Sequence, residues 1–101
     1  MPVFMTARFT VREDSLDVAR AAIAEFVEYV QDNEPGTQLY TSLHEVDNAT
    51  EFLHYFIFDD VAAEEIHRNS EAVKKFTGIL YPVLASDGVE FKSYRVLAST
   101  S

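Results

Sequence analysis

The sequence predicts an α+β fold of the ferredoxin-like, split βαβ type: a four-stranded antiparallel sheet with two helices on one face. Three observations predict it. Apolar residues recur with period two, or fill short runs, in four segments. Two stretches between those segments carry apolar residues at helical spacing. The order of the six is β-α-β-β-α-β. At 101 residues the chain matches one domain, 1–101, and neither a linker nor an internal repeat divides it.

In residues 3–11, Val3, Met5, Ala7, Phe9 and Val11 share one face and Thr6, Arg8 and Thr10 the other, which is the signature of a strand. Asp14 and Ser15 then precede Leu16, with Asp17 in the first turn. These are helix-start signals, and the acid suits the positive end of the helix dipole. Leu16, Ala19, Ile23, Phe26, Val27 and Val30 form one buried stripe on a helix of roughly four turns, which Glu34-Pro35-Gly36 stops. Residues 37–46 read as the second strand, 46–51 as a polar turn, and 52–58 as the third strand. Asp59-Asp60 offers an N-cap to the second helical stretch. Ala62, Ala63 and Ile66 make its expected inner side, and Asn69-Ser70 reads as a break or a new cap. Val73, Phe76, Leu80 and Leu84 continue the stripe until Pro82 ends or kinks it. Asp87-Gly88 turns the chain into a fourth strand over 89–97.

The third strand carries a quaternary expectation. Leu53, Tyr55 and Ile57 point one way, Phe52, Phe56 and Phe58 the other. A strand apolar on both faces needs cover on both. With helices on one face only, the natural second cover is the sheet of another subunit, so a homodimer is expected.

Composition narrows the function. With 17 acidic and 8 basic residues the net charge is −9, which repels nucleic acid and anionic membrane surfaces; neither is expected as a partner. Cysteine is absent, so disulfides, thiolate catalysis and Cys-ligated metal are excluded. No segment approaches a membrane span and no signal peptide is legible, which makes the cytoplasm the expected location. Three glycines build no phosphate-binding loop, and zinc and nucleophile-elbow motifs are missing. No cofactor and no metal are expected.

Chemistry then rests on a few side chains. His44, His54 and His67 titrate near neutral pH. His67 lies four residues after Ala63, at the edge of the helical stripe, where it can reach a cavity between helix and sheet as a general base or as an ordinary boundary residue. His54 shares its strand face with three phenylalanines, and His44 reads as surface. The tyrosines 29, 40, 55, 81 and 94 offer phenol groups that can orient a substrate or simply pack. Arg8, inside the first strand, either reaches a sheet rim or pairs with an anion.

Three segments carry a resemblance to a known family: EPGTQLY (34–40), FLHYFIFDD (52–60) and HRNSEAVKKF (67–76). They are similar to the antibiotic biosynthesis monooxygenase domain, of the dimeric α+β barrel superfamily. The third segment, a His-x-x-Ser followed by Lys and an aromatic, is the most specific. The resemblance implies a dimer whose sheets face each other, a pocket inside each subunit, and oxidation of phenolic or quinol-like aromatics by dioxygen without metal or flavin. It also implies that His67 lines the pocket. The family's Glu-x-Trp near the end of the third strand is replaced here by Phe56-Ile57-Phe58. The position of the axial histidine of heme-degrading relatives is Thr77, which argues against heme.

Three functions follow as alternatives. One is a cofactor-independent monooxygenase of a small aromatic, quinol-type compound, with His67 as catalytic base or orienter. In it His54, Tyr40 and Arg8 are polar contacts, and Phe56, Phe58 and Phe76 pocket walls. The others are an isomerase of a small carbonyl compound and a non-catalytic ligand-binding or structural dimer.

Overall fold

Residues 1–101 are described by a computed structural model. Strand β1 (Val3–Thr10) leads through a 3₁₀ turn at Glu13–Ser15 to helix α1 (Leu16–Asn33). Strands β2 (Thr37–Glu45) and β3 (Asn48–Phe58) form a hairpin. Helices α2 (Val61–Arg68) and α3 (Glu71–Leu80), a second 3₁₀ turn at Tyr81–Val83 and strand β4 (Glu90–Tyr94) complete the chain. The sheet order is β2-β3-β1-β4, and every pair is antiparallel. This is the split βαβ arrangement read from the sequence.

The structure differs from the sequence reading at the β2–β3 turn, in the capping of α1 and at the end of β4, and it bears out the new cap read at Asn69-Ser70. The β2–β3 turn takes only Val46 and Asp47; Asn48 already pairs with Glu45, next to a register shift. The polar residues 48–51, which read as turn, are therefore strand. The second helical stretch is two helices. Ser70 caps α3 by accepting a hydrogen bond from the Val73 amide at 3.1 Å, as Asp60 caps α2 through the Ala63 amide at 2.8 Å. Ser15 does precede α1, but its hydroxyl bonds Asp14 instead of the helix amides. Strand β4 stops at Tyr94, because β1 offers it partners only from Phe4 to Arg8.

The helices cover one face of the sheet, and the core beneath them is divided. The larger cluster joins Phe9, Val11 and Phe52 of the sheet side to Ala19, Ala22, Ile23, Phe26 and Val30 of α1 and Phe76 and Leu80 of α3. The smaller joins Ala7, Phe56 and Phe58 to Ala63 of α2. Helix α2 turns a different side inward than its apolar residues suggest. Ala63 is buried and His67 half-buried, whereas Ala62 and Ile66 are exposed, Ile66 by 67 %. Residues four apart share a helix face, and Ala63 is fixed inward by the turn before β2. A Cβ on Gly36 would lie 2.7 Å from the Ala63 Cβ, a contact available only because position 36 lacks one. Ala63 so placed brings His67 to the sheet and leaves Ile66 in solvent. No helix is long and apolar enough to cross a membrane.

Candidate active site

Between the two core clusters lies a cavity of about 430 Å³, within the range that holds a small organic ligand. The sheet register explains the space. Across the helix-covered face, Ser42 of β2, His54 of β3, Ala7 of β1 and Phe91 of β4 stand in one row. Ala7 is the small member in the middle, and the opening forms over it. Aromatic walls come from Phe9, Phe26, Phe56, Phe58 and Phe76, with Arg68 and Glu64 of α2 and Thr77 of α3 also in the lining. Arg68 and Glu64 pair with each other at 3.4 Å.

Of the residues singled out in the sequence, His67, His54, Tyr40, Phe56, Phe58 and Phe76 all line this cavity. Arg8 does not. Its neighbours Ala7 and Phe9 point inward, so Arg8 points to the opposite face of the sheet, where it is exposed. His44 is exposed as well and bonds the Glu45 carbonyl. No group of histidine and carboxylate side chains converges to hold a metal ion.

Two imidazoles reach the cavity from opposite layers, and their surroundings differ in kind. His67, from the last turn of α2, bonds Glu34 through Nδ1 at 2.7 Å. Glu34 ends α1 and folds its side chain under the Glu34-Pro35-Gly36 turn, where it is 6 % exposed. Its Oε1 also accepts from the Thr37 hydroxyl at 2.9 Å, while Oε2 is buried without a partner in the chain. A carboxylate accepts the Nδ1 proton, and a ring so bonded has Nε2 as its free nitrogen. That nitrogen makes no hydrogen bond within the chain.

His54, from the centre of the sheet, is 1 % exposed and has no charged partner. Its Nδ1 lies 2.7 Å from the Tyr40 hydroxyl and its Nε2 2.9 Å from the Ser42 hydroxyl. Burial lowers its pKa from 6.5 to about 4, so the ring is neutral at ordinary pH. Burial, aided by the nearby Glu34 charge, pushes the Tyr40 phenol above its usual range and keeps it protonated. The Tyr40 ring bridges the two imidazoles, 5.3 Å from His54 and 5.6 Å from His67 between ring centres.

The comparisons with known proteins follow this geometry. The family model described as antibiotic biosynthesis monooxygenase matches residues 2–78, well over half of the chain. The chain belongs to the antibiotic biosynthesis monooxygenase family. Among solved structures, one from Bacteriodes thetaiotaomicron, provisionally assigned to that same activity, superposes with a TM-score of 0.90 at 18% identity, over 99% of this chain and 93% of its own. Rv0793 from Mycobacterium tuberculosis gives 0.88 at 22% identity over 100% of both chains. A variant of SnoaB, a cofactor-independent oxygenase from Streptomyces nogalater, gives 0.83 at 16% identity, over 98% of this chain and 96% of its own. At these identities the likeness is one of fold. No curated protein matches the chain.

Glu34 and Ser42 were missed in the sequence. Glu34 reads as part of a helix-stopping turn, since Pro35 and Gly36 dominate the local pattern. Ser42 sits in a moderately patterned strand. The available signals were the carboxylate adjoining a Pro-Gly turn, and Tyr40 and Ser42 two apart on the strand that pairs with His54.

Proposed function

We propose that this family member is a cofactor-independent monooxygenase of a small quinol-type aromatic compound. The observation that supports it is His67 in the lining of an aromatic cavity, its Nδ1 held by the buried Glu34 and its Nε2 free of any hydrogen bond within the chain. A hydroxyl of the substrate gives its proton to that nitrogen. The resulting aromatic anion passes an electron to dioxygen, and the two radicals join as a peroxide. Collapse of the peroxide leaves one oxygen atom as a carbonyl and releases the other as water, with the proton returned. The phenylalanine walls keep water away from these intermediates, and Tyr40 and His54 are the neutral polar contacts. SnoaB is described as a cofactor-independent oxygenase, and its likeness in fold is consistent with the reading.

The dimer belongs to the same proposal. The face of the sheet opposite the helices carries Phe4, Leu39, Leu43, Leu53, Tyr55 and Ile57, and a second copy is its occupant. The cytoplasm is the location that fits a chain of this chemistry.

The test is oxygen uptake by the purified protein with a dihydroxynaphthalene under air. Consumption of dioxygen in equal amount to substrate is the expected result. His67→Ala should lower turnover roughly 10²-fold or more with the circular dichroism spectrum retained. Unchanged turnover in that variant removes His67 as the base. Saturable binding without oxygen uptake makes the chain a binding module.

A further inference from the structure

The two imidazoles of the cavity differ in how many ways their hydrogen bonds can be arranged. His67 is bonded to a carboxylate, which only accepts, so one arrangement is available. His54 is bonded on both sides to hydroxyl groups, Tyr40 at 2.7 Å and Ser42 at 2.9 Å. Each hydroxyl both donates and accepts. A neutral ring between them has two complementary arrangements. In one, Tyr40 donates to Nδ1 while Nε2–H donates to Ser42. In the other, Ser42 donates to Nε2 while Nδ1–H donates to Tyr40. Both satisfy all three groups, and neither buries a charge.

The ends of this row lie in different surroundings. Tyr40 lines the cavity. Ser42 is half-buried on β2, one of the two edge strands of the sheet. What surrounds His54 itself is apolar or neutral: Phe9 of β1 at 5.0 Å and Phe76 of α3 at 6.1 Å between ring centres, with Tyr40 and Ser42 of β2 as its bonded partners.

We propose that Tyr40, His54 and Ser42 form a proton relay between the cavity and solvent at the β2 edge. A proton arriving at the Tyr40 oxygen releases the phenol proton to Nδ1 of His54. The Nε2 proton passes to Ser42, whose own hydroxyl proton leaves to water. Each of the three side chains gains one proton and loses one, and His54 exchanges tautomers by gaining at Nδ1 and losing at Nε2. The run in reverse brings a proton inward. Burial disfavours both tyrosinate and imidazolium here, so the shifts occur together and not through a charged stop. The use of the relay in peroxide collapse rests on the monooxygenase reading; the relay itself does not.

The deciding experiment therefore uses the free protein. Long-range proton–nitrogen NMR on ¹⁵N-labelled chain reports the protonation of each ring nitrogen. The expected result is that both His54 nitrogens resonate between the values of a protonated and an unprotonated nitrogen, the mark of exchanging tautomers. Ser42→Ala removes the outer hydroxyl and should collapse His54 to one tautomer. A single fixed tautomer in the wild-type chain overturns the relay, whether or not the protein oxidises anything. In a turnover assay, His54→Gln keeps an amide able to bond both hydroxyls but unable to pass a proton. It should lower kcat with KM nearly unchanged and alter the solvent deuterium isotope effect. Wild-type kcat in that variant overturns the use of the relay in turnover, while the NMR result decides the relay itself.

Discussion

Phe52, His54, Phe56 and Phe58 of β3 are each 4 % exposed or less, while Leu53, Tyr55 and Ile57, which alternate with them on the same strand, are only half-buried. The first set meets helices, the cavity and each other. The second, with Leu39 and Leu43 beside it on β2, faces out of the subunit. One strand thus serves two surfaces with a period of two residues. The lesson concerns burial: the same apolar composition supports folding of the subunit on one face and, in the dimer proposed here, association on the other.

The largest expected effect separates the faces by stability. Phe52 stacks on Phe9 in the larger core cluster, with ring centres 5.4 Å apart. Phe52→Ala should cost about 3–5 kcal/mol in urea unfolding. Leu53→Ala, one residue along, should cost far less in a dilute, monomeric sample. Equal losses would break the comparison.

The next effect sharpens it through pH, since the covered face holds a buried titratable ring. The folded pKa of His54, about 4, lies below its ordinary 6.5. Between those values the unfolded chain binds the proton and the folded chain does not. Stability is then unaffected by His54 above about 6.5, falls as pH drops through that window, and has lost the full contribution below about 4. The contribution is roughly 3 kcal/mol. The wild-type loss on acidification should exceed that of His54→Gln by this amount in paired urea titrations; parallel losses would contradict the burial effect.

The smallest effect is expected on association. Sedimentation at micromolar concentration should give about twice 11.4 kDa. Leu53→Asp places a charge on the outward face and should weaken the dimer on the order of 100-fold, giving a folded monomer. A wild-type monomer, or a dimer indifferent to Leu53→Asp, removes the open face as an interface.

Much of this was legible in the sequence, because alternation and helical spacing report directly on which side of an element is buried. Period two was clear in β1, β3 stood out as a short run apolar on both faces, and Ser70 was readable as a cap. The walls Phe56, Phe58 and Phe76 and the polar residues Tyr40, His54 and His67 came from the same patterns together with the family resemblance. The failures were tertiary. Ala62 and Ile66 looked like the inner side of α2, but a helix of two turns is oriented by what it touches, and it touches the turn at Gly36. Arg8 was weighed for its charge, while the parity of its position put it outside. Glu34 looked like punctuation; only the fold brings it to a histidine 33 residues later.

The contact between Gly36 and Ala63 makes these two positions a single unit for sequence change. Together they have room for one methyl group. Gly36→Ala alone adds a second one 2.7 Å from the first, so α2 must withdraw, and the reach from Glu34 to His67 opens with it. Ala63→Gly alone leaves a gap and loosens a short helix. The two changes made together restore the single methyl on the other side of the contact. The spacing of the Glu34–His67 pair is thereby set through two small residues that carry no chemistry of their own, and a methyl gained at position 36 is accommodated where the one at position 63 is given up.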